Sequence, residues 1–252
     1  MKIVKIGGSF ITKKSGYREP ETGNIAMIAK AVAAMWRRGA RDFILVHGAG
    51  SFGHALVLKH GLNEGVQSAA QKLGYADTHA ACSELSLMLV KALVEAGAPA
   101  VSIPPAAIMT QKGGRIARFD MKTVDGYLQS GYLPVLYGDM VPDSELGGSV
   151  CSGDQIVAYL GKGAECVVLA TNVDGVLDDR GNTIPKITTA NFNDISKHLK
   201  QSSGDVTGAM AGKLKELLAL DTPAYIVNAA NPERIEALMA GKKGVVCTEV
   251  RK

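Results

Sequence analysis

Short apolar runs alternate with longer stretches in which apolar residues recur every three or four positions, and the alternation continues along the whole 252-residue chain. Residues 2–6 read as a strand. After a polar loop, Ile25, Ile28, Ala29, Val32, Met35 and Trp36 recur at helical spacing behind Asn24, a residue type that caps helices, and Gly39 then supplies a stop. Phe43-Ile44-Leu45-Val46 is apolar without interruption, as expected for a strand covered on both faces. Residues 78–95 predict a largely buried helix, because Leu85, Leu87, Met88, Leu89, Leu93 and Val94 wrap most of its circumference. Further strands are predicted at 100–103, 133–137, 166–170, 224–227 and 245–250. Residues 108–119 around Gly113-Gly114, and 176–184 around Asp179-Arg180-Gly181-Asn182, have the pattern of β-hairpins. Strands alternating with helices in this way predict an α/β protein with a mostly parallel sheet covered on both faces.

Composition narrows the class without changing it. A chain of 252 residues with 46% hydrophobic and 21% charged residues fits one globular α/β domain, and no repeat or low-complexity linker breaks it. The formal charge of +4 is too small and too scattered for a nucleic-acid footprint, although it suits a phosphorylated metabolite. Cys82, Cys151, Cys166 and Cys247 are far apart and lack zinc-ligand spacing, which predicts reduced, mostly buried thiols. No apolar stretch escapes interruption by Gly or Pro for long enough to span a bilayer, and the N-terminus lacks the layout of a secretion signal; a cytoplasmic location and no membrane contact are expected.

Four segments carry candidate chemistry. In KIGGSF, residues 5–10, a strand with Lys5 leads into Gly7-Gly8-Ser9, and Lys13 and Lys14 follow. Glycines let backbone N–H groups approach an anion closely, and a lysine on the strand reaches the same charge, although a tight turn with solvated lysines fits the pattern equally. HGAGSFGH, residues 47–54, follows a buried strand where ligands bind in α/β sheets. Its Gly48, Gly50 and Gly53 satisfy GxGxxG, but no second strand ends in an acid about 20 residues on, so a dinucleotide fingerprint is disfavoured and a smaller anion, met by backbone donors and His54, is favoured. His47, His60 and His79 are read as structural.

In the segment from Ser149 to Leu177, Ser152-Gly153-Asp154 opens a helix and a strand then ends in Thr171-Asn172-Val173-Asp174-Gly175. Asp154 either caps its helix or orients lysines by ion pairing, and Asp174-Gly175 either forms a plain turn or accepts hydrogen bonds from a ribose or adenine. Finally, GDVTGAMAGK, residues 204–213, places Gly208, Met210 and Lys213 at the start of a predicted helix, where a phosphate is attracted. Thr207 and Leu214 depart from GxxxxGK[ST], which disfavours a P-loop.

Taken in order, KIGGS, HGAGSFGH, SGD, TNVDG and DVTGAMAGK resemble the amino-acid kinase family across nearly the whole chain. Within it, the SFGH ending with His54 and the presence of Lys14 resemble the isopentenyl phosphate kinases, and fosfomycin kinases share a similar loop. The C-terminal VVCTEV departs from the Gly-Thr pair of many members. The resemblance implies an open αβα sandwich, an acceptor lobe over about residues 1–160, a nucleotide lobe over about 161–252, a homodimer, and transfer of the γ-phosphoryl group of ATP, with Mg²⁺ as its companion, to isopentenyl phosphate. It implies that Lys5, Gly7, Gly8, Ser9, Gly50, Thr171, Asp174, Gly175, Gly208, Met210 and Lys213 face ATP. Ala49, Gly50, Gly53, His54 and Gly153 would hold the acceptor, Lys14 would stabilise the transition state, and Asp154 would orient the lysines. No residue is assigned to a metal. A fosfomycin-type acceptor, a non-catalytic nucleotide-binding protein and an NAD-dependent dehydrogenase are the alternatives, in that order.

Overall fold

The computed structural model describes residues 1–13, 15–201 and 209–252, without the side chains of residues 198, 200, 201 and 209. Strands alternate with helices along the chain, and Lys186–Ile187 with Thr248–Val250, Ala224–Asn228 with Cys166–Thr171, Phe43–His47 with Leu133–Tyr137, and Ala100–Ser102 with Leu133–Tyr137 pair in parallel, which is the expected α/β class. The chain divides into two units, Ile6–Ile156 and Met1–Lys5 with Val157–Lys252, and each is described in turn.

The chain opens with β1 (Lys2–Ile6), whose last residue begins the Ile6–Ile156 unit. Gly7 then leads into the single turn α1 (Gly8–Ile11), followed by α2 (Thr22–Arg37), β2 (Phe43–His47) and α3 (Gly50–Lys59). Thus the second half of the HGAGSFGH segment is helical rather than loop. The next element, α4 (Ala69–Glu95), starts nine residues before the predicted position because Ser68 and Gln71 cap each other: the Ser68 hydroxyl accepts the Gln71 N–H at 3.1 Å, and Gln71 Oε1 accepts the Ser68 N–H at 3.1 Å. Its core face is Thr78, Ala81, Cys82, Leu85, Leu89 and Leu93; Leu87 and Val94, expected to be covered, are 50% and 54% exposed.

There follow β3 (Ala100–Ser102), α5 (Pro105–Ile108), the hairpin β4 (Met109–Lys112) and β5 (Arg115–Phe119), α6 (Met121–Gln129), β6 (Leu133–Tyr137), β7 (Asp139–Val141), β8 (Ser149–Cys151) and α7 (Gly153–Leu160). Strands β2, β6 and β3 run parallel, with Leu45 opposite Val135 and Ala100 opposite Leu133. Every residue of β2 and β6 is buried, as their unbroken apolar runs require. The β4–β5 hairpin forms where the sequence placed it. Asp143 fastens it: this buried carboxylate accepts the N–H groups of Gly113 (3.1 Å), Gly114 (2.7 Å), Glu145 (2.9 Å) and Leu146 (3.0 Å) and the Ser149 hydroxyl (2.7 Å). Burial alone would raise its pKa, but these donors outweigh it and hold Asp143 well below the usual carboxylate value.

In the other unit, β9 (Cys166–Thr171) is buried throughout, and β10 (Lys186–Ile187), α8 (Phe192–Gln201), α9 (Ala209–Leu218), β11 (Ala224–Asn228), α10 (Pro232–Met239) and β12 (Thr248–Val250) follow. Strands β9 and β11 are parallel, with Thr171 opposite Asn228; β12 is antiparallel to β11 and parallel to β10. Two expectations need correction here. The strand predicted from 245 is confined to three residues, and the 176–184 hairpin is reduced to one bridge between Leu177 and Thr183. The Asp178 carboxylate takes the N–H groups of Arg180 and Asn182 and closes the segment as a turn, so no ladder propagates. Among the described residues no helix is long and apolar enough to cross a membrane.

Candidate functional site

In the Ile6–Ile156 unit the two glycine segments are pressed together main chain to main chain. Gly48 donates its N–H to Ile6 O at 3.0 Å, and a Cβ on Gly8 would stand 2.4 Å from Gly50 N, while one on Gly48 would stand 2.7 Å from Gly8 N. Gly50 opens α3 in the left-handed region at φ +52°, where a Cβ would also meet Thr12 Oγ1 at 2.1 Å. Thr12, buried, takes the place such a side chain would need: its hydroxyl accepts the Ser51 N–H at 3.0 Å and donates to Gly8 O at 2.9 Å. Gly53 lies close against Ala49 and Cys82, so α3 has room for no larger residue there.

A third strand end completes this corner. After β6, Gly138 donates to His47 O at 3.0 Å, and the position a Cβ would take on Gly138 is 3.3 Å from Gly153 N and 3.5 Å from Ala49 N. The main-chain nitrogens at the starts of α3 and α7, with Cys151 O at 3.6 Å, therefore lie close around Gly138, and helix starts of this kind are where an amide cradle for an anion forms. His54, exposed, follows Gly50 by about one turn of α3. Ser152 caps α7, its hydroxyl accepting the Gln155 N–H at 3.1 Å, so Asp154 sits in the first helical turn and is not the cap. Gly7 and Gly8 are buried, Ser9 is exposed, and Lys5 is 4% exposed in β1. Lys14 lies outside the described residues.

The sequence reading missed Gly138, a lone glycine behind a buried strand, and set His79 aside as structural. His79 Nδ1 is 2.9 Å from Oδ2 of Asp139, whose side chain is fully buried directly after Gly138. The hydrogen bond to Asp139 raises the His79 pKa, and burial raises that of Asp139. Tyr75, one turn earlier on α4, donates to Met140 O at 3.3 Å and packs against Val57, Leu62, Val66 and Met140, and burial pushes its pKa up to about 12. Only Tyr75 of this cluster stands on α4; Val57 comes from α3, Leu62 and Val66 from the segment after it, and Met140 from β7.

In the other unit, β9 delivers Thr171 to its C-terminal end, where the hydroxyl accepts the Val173 N–H at 3.3 Å and the carbonyl accepts the Ala229 N–H at 2.8 Å. Asp174 Oδ1 accepts from Arg234 Nη1 of α10 at 2.7 Å. Gly175 is held by Thr248, a fully buried residue of the divergent VVCTEV segment: its hydroxyl accepts the Val176 N–H at 2.8 Å and donates to Ile184 O at 2.7 Å, and a Cβ on Gly175 would lie 2.4 Å from it. Thr248 thus has a definite task in shaping the 172–176 loop. On α9, Met210 and Lys213 are partly exposed, while Leu214, Leu217 and Leu218 turn to the core. Gly208 lies outside the described residues.

Sheet-edge glycines, amides gathered at helix starts and a lysine-bearing helix describe a phosphate-handling α/β protein. The model of the amino acid kinase family matches residues 1–228, and the chain belongs to that family. The isopentenyl phosphate kinase of Methanothermobacter thermautotrophicus is 34% identical, with 96% of each chain covered, and that of Haloferax volcanii is 36% identical, with 95% of each covered. A structure described as "X-ray structures of isopentenyl phosphate kinase" superposes with a TM-score of 0.83 at 30% identity over 99% of each chain.

Proposed function

We propose that this protein transfers the γ-phosphoryl group of ATP to isopentenyl phosphate and releases isopentenyl diphosphate. The observation that supports the reading is the closeness of Ala49 N and Gly153 N, at two helix starts, beside Gly138 in a chain similar to isopentenyl phosphate kinases over almost its full length. The Ile6–Ile156 unit takes the acceptor. Ala49, Gly50 and Gly153 bind its phosphate through main-chain N–H groups, Gly53 makes room beside α3, and His54 adds a directed N–H. The half-buried wall of Tyr75 faces the prenyl tail. The other unit, with Lys5, Thr171, Asp174, Gly175, Met210 and Lys213, takes ATP, together with Gly7, Gly8, Ser9 and Gly208. Lys14 stabilises the moving phosphoryl group, and Asp154 orients the lysines.

A phosphate monoester is already an anionic nucleophile near neutral pH, so no general base has to be supplied. What the protein contributes is alignment and the offsetting of repulsion between two polyanions. Among the described residues no three His, Cys, Asp or Glu side chains are grouped to hold a metal ion. Mg²⁺ is proposed only as the companion of ATP, and no step is assigned to it. A homodimer, implied by the family resemblance, and a cytoplasmic location, expected from the sequence, are part of the same reading. The test is ATP consumption across a panel of small phosphates, phosphonates and carboxylates, with the product identified by mass. Isopentenyl phosphate should give the highest kcat/KM and a diphosphate product; a preference for fosfomycin, or no acceptor-dependent turnover, overturns the proposal.

A further inference from the structure

The His79–Asp139 pair stands at the corner proposed for the acceptor phosphate, yet it has no part in the transfer described above. Asp139 opens β7 directly after Gly138 and pairs with Cys151 in the β7–β8 ladder, two residues before Gly153. Its fully buried carboxylate ties α4 and α5 to β7. His79 Nδ1 lies 3.0 Å and 2.9 Å from its two oxygens, Oδ1 accepts the Met140 N–H at 2.8 Å, and the Ala106 N–H bonds to the same carboxylate. A neutral side chain could accept those N–H groups at a lower desolvation cost, so the fastening alone does not account for a charge at residue 139.

A carboxylate also has the wrong sign for this corner. Consecutive Cα atoms are about 3.8 Å apart, and in any rotamer the Asp139 oxygens stay within about 8 Å of Gly138 Cα. At an effective dielectric constant of about 20, an anion at that range is disfavoured about tenfold or more. The Asp139 charge reaches the residues around the corner. With burial as the largest cause, it raises the pKa of Tyr75 and Cys82 on α4, of Tyr137 at the end of β6 and of Cys151 on β8. Those four groups are neutral near pH 7; Arg115 on β5 acts on Cys151 with the opposite sign, and α3, packed against α4, carries His54. His79 sits nearest the carboxylate. Its bond to Asp139 raises its own pKa and so favours the imidazolium.

We infer that His79 is a charge-compensating residue of the acceptor site: bound to Asp139, it cancels the buried negative charge beside Gly138 and lets a phosphate bind there. It acts through Asp139, as an electrostatic positioning residue, and need not touch the substrate. The inference rests on the proposed binding of the acceptor beside Gly138.

The test compares His79→Gln, the His79→Gln/Asp139→Asn double variant and Gly138→Ala at about pH 7, each assayed for kcat, both KM values and Tm, with isopentenol as a competitive inhibitor that shares the tail and carries no charge. His79→Gln removes the cation and keeps a hydrogen-bond donor. Its kcat/KM for isopentenyl phosphate should fall about tenfold or more, while the KM for ATP and the inhibition constant of isopentenol stay within about threefold of wild type. The double variant has neither charge and should recover most of that loss. A pair that only holds the fold together would instead lower Tm and weaken isopentenol as much as isopentenyl phosphate. Unchanged kcat/KM in His79→Gln, equal weakening of the charged and uncharged ligands, or a folded double variant no better than His79→Gln overturns the inference; should the double variant fail to fold, the isopentenol comparison decides. If Gly138→Ala also keeps its kcat/KM for the acceptor, the proposed acceptor site falls as well, whereas a loss in Gly138→Ala without one in His79→Gln removes the role of His79 alone.

Discussion

Replacing Gly138 by alanine tests the amide cradle with one methyl group. The new Cβ would stand 3.3 Å from Gly153 N and 3.5 Å from Ala49 N, and the φ of Gly138 lies outside the left-handed region, so the backbone accepts the side chain with a shift of a few tenths of an ångström. The fold should therefore survive, with Tm lowered by no more than about 4 °C, the equivalent of less than about 1 kcal/mol. The cradle should not. A phosphate oxygen held by two amides gains about 1.5–3 kcal/mol from each charge-assisted bond, or about 3–6 kcal/mol in all. At about 1.4 kcal/mol per decade this amounts to a loss of about 10²–10⁴ in kcat/KM for isopentenyl phosphate. A coupled assay of ADP release, with the acceptor varied at saturating ATP and then the reverse, reads both sides separately. Gly138→Ala should leave the KM for ATP within about threefold of wild type. If kcat/KM for isopentenyl phosphate also stays within about threefold, those amides do not hold the acceptor. Gly8→Ala is the contrast: its Cβ would fall 2.4 Å from Gly50 N, main chain with nowhere to go, and it should lower Tm by well over the Gly138→Ala effect.

Other substitutions separate the two halves of the reaction. His54→Ala should lower kcat/KM for the acceptor about ten- to a hundredfold while the KM for ATP stays near wild type; equal loss on both sides would remove His54 from the acceptor site. Arg234→Ala frees Asp174 from its 2.7 Å partner and should raise the KM for ATP about three- to tenfold without touching that of the acceptor, as read in the same assay. Asp143→Asn should weaken the hairpin fastening. Because the folded Asp143 pKa lies below its ordinary value of 3.8, its contribution is present above that pH and is lost as the pH falls below it. Chemical denaturation between pH 7 and pH 3 should show a shallower acid loss in the variant than in wild type, and parallel curves would refute the assignment.

The buried strands were legible because Phe43–Val46 and Leu133–Tyr137 are apolar without gaps, and such runs admit few other structures. The start of α4 was not, since Ala69 to Asp77 has only Leu73 and Tyr75 as large apolar residues, too few to set a period, and the reciprocal bonds of Ser68 and Gln71 pin the helix there. The same helix shows that apolar residues at helical spacing do not fix which face is covered, for Leu87 and Val94 remain half exposed. At the site, glycines could be counted in sequence, but the contact of Gly8 with Gly50 joins residues 42 positions apart, and the cradle needs Ala49, Gly138 and Gly153 together. His79 and Asp139 are separated by 60 positions, and a pairing over that distance leaves no local pattern. The departure at VVCTEV was visible, while the task of Thr248 emerged only from its bonds to Val176 and Ile184.

The cysteines offer a practical opening. Burial raises the pKa of all four thiols, but Cys82, Cys151 and Cys166 are buried whereas Cys247, immediately before Thr248, retains partial exposure. A thiol-selective fluorophore would therefore meet the native chain mainly at Cys247, beside the residue that pins the 172–176 loop. If ATP binds the 172–176 loop as proposed, its arrival should change the emission of that label, without any engineered mutation.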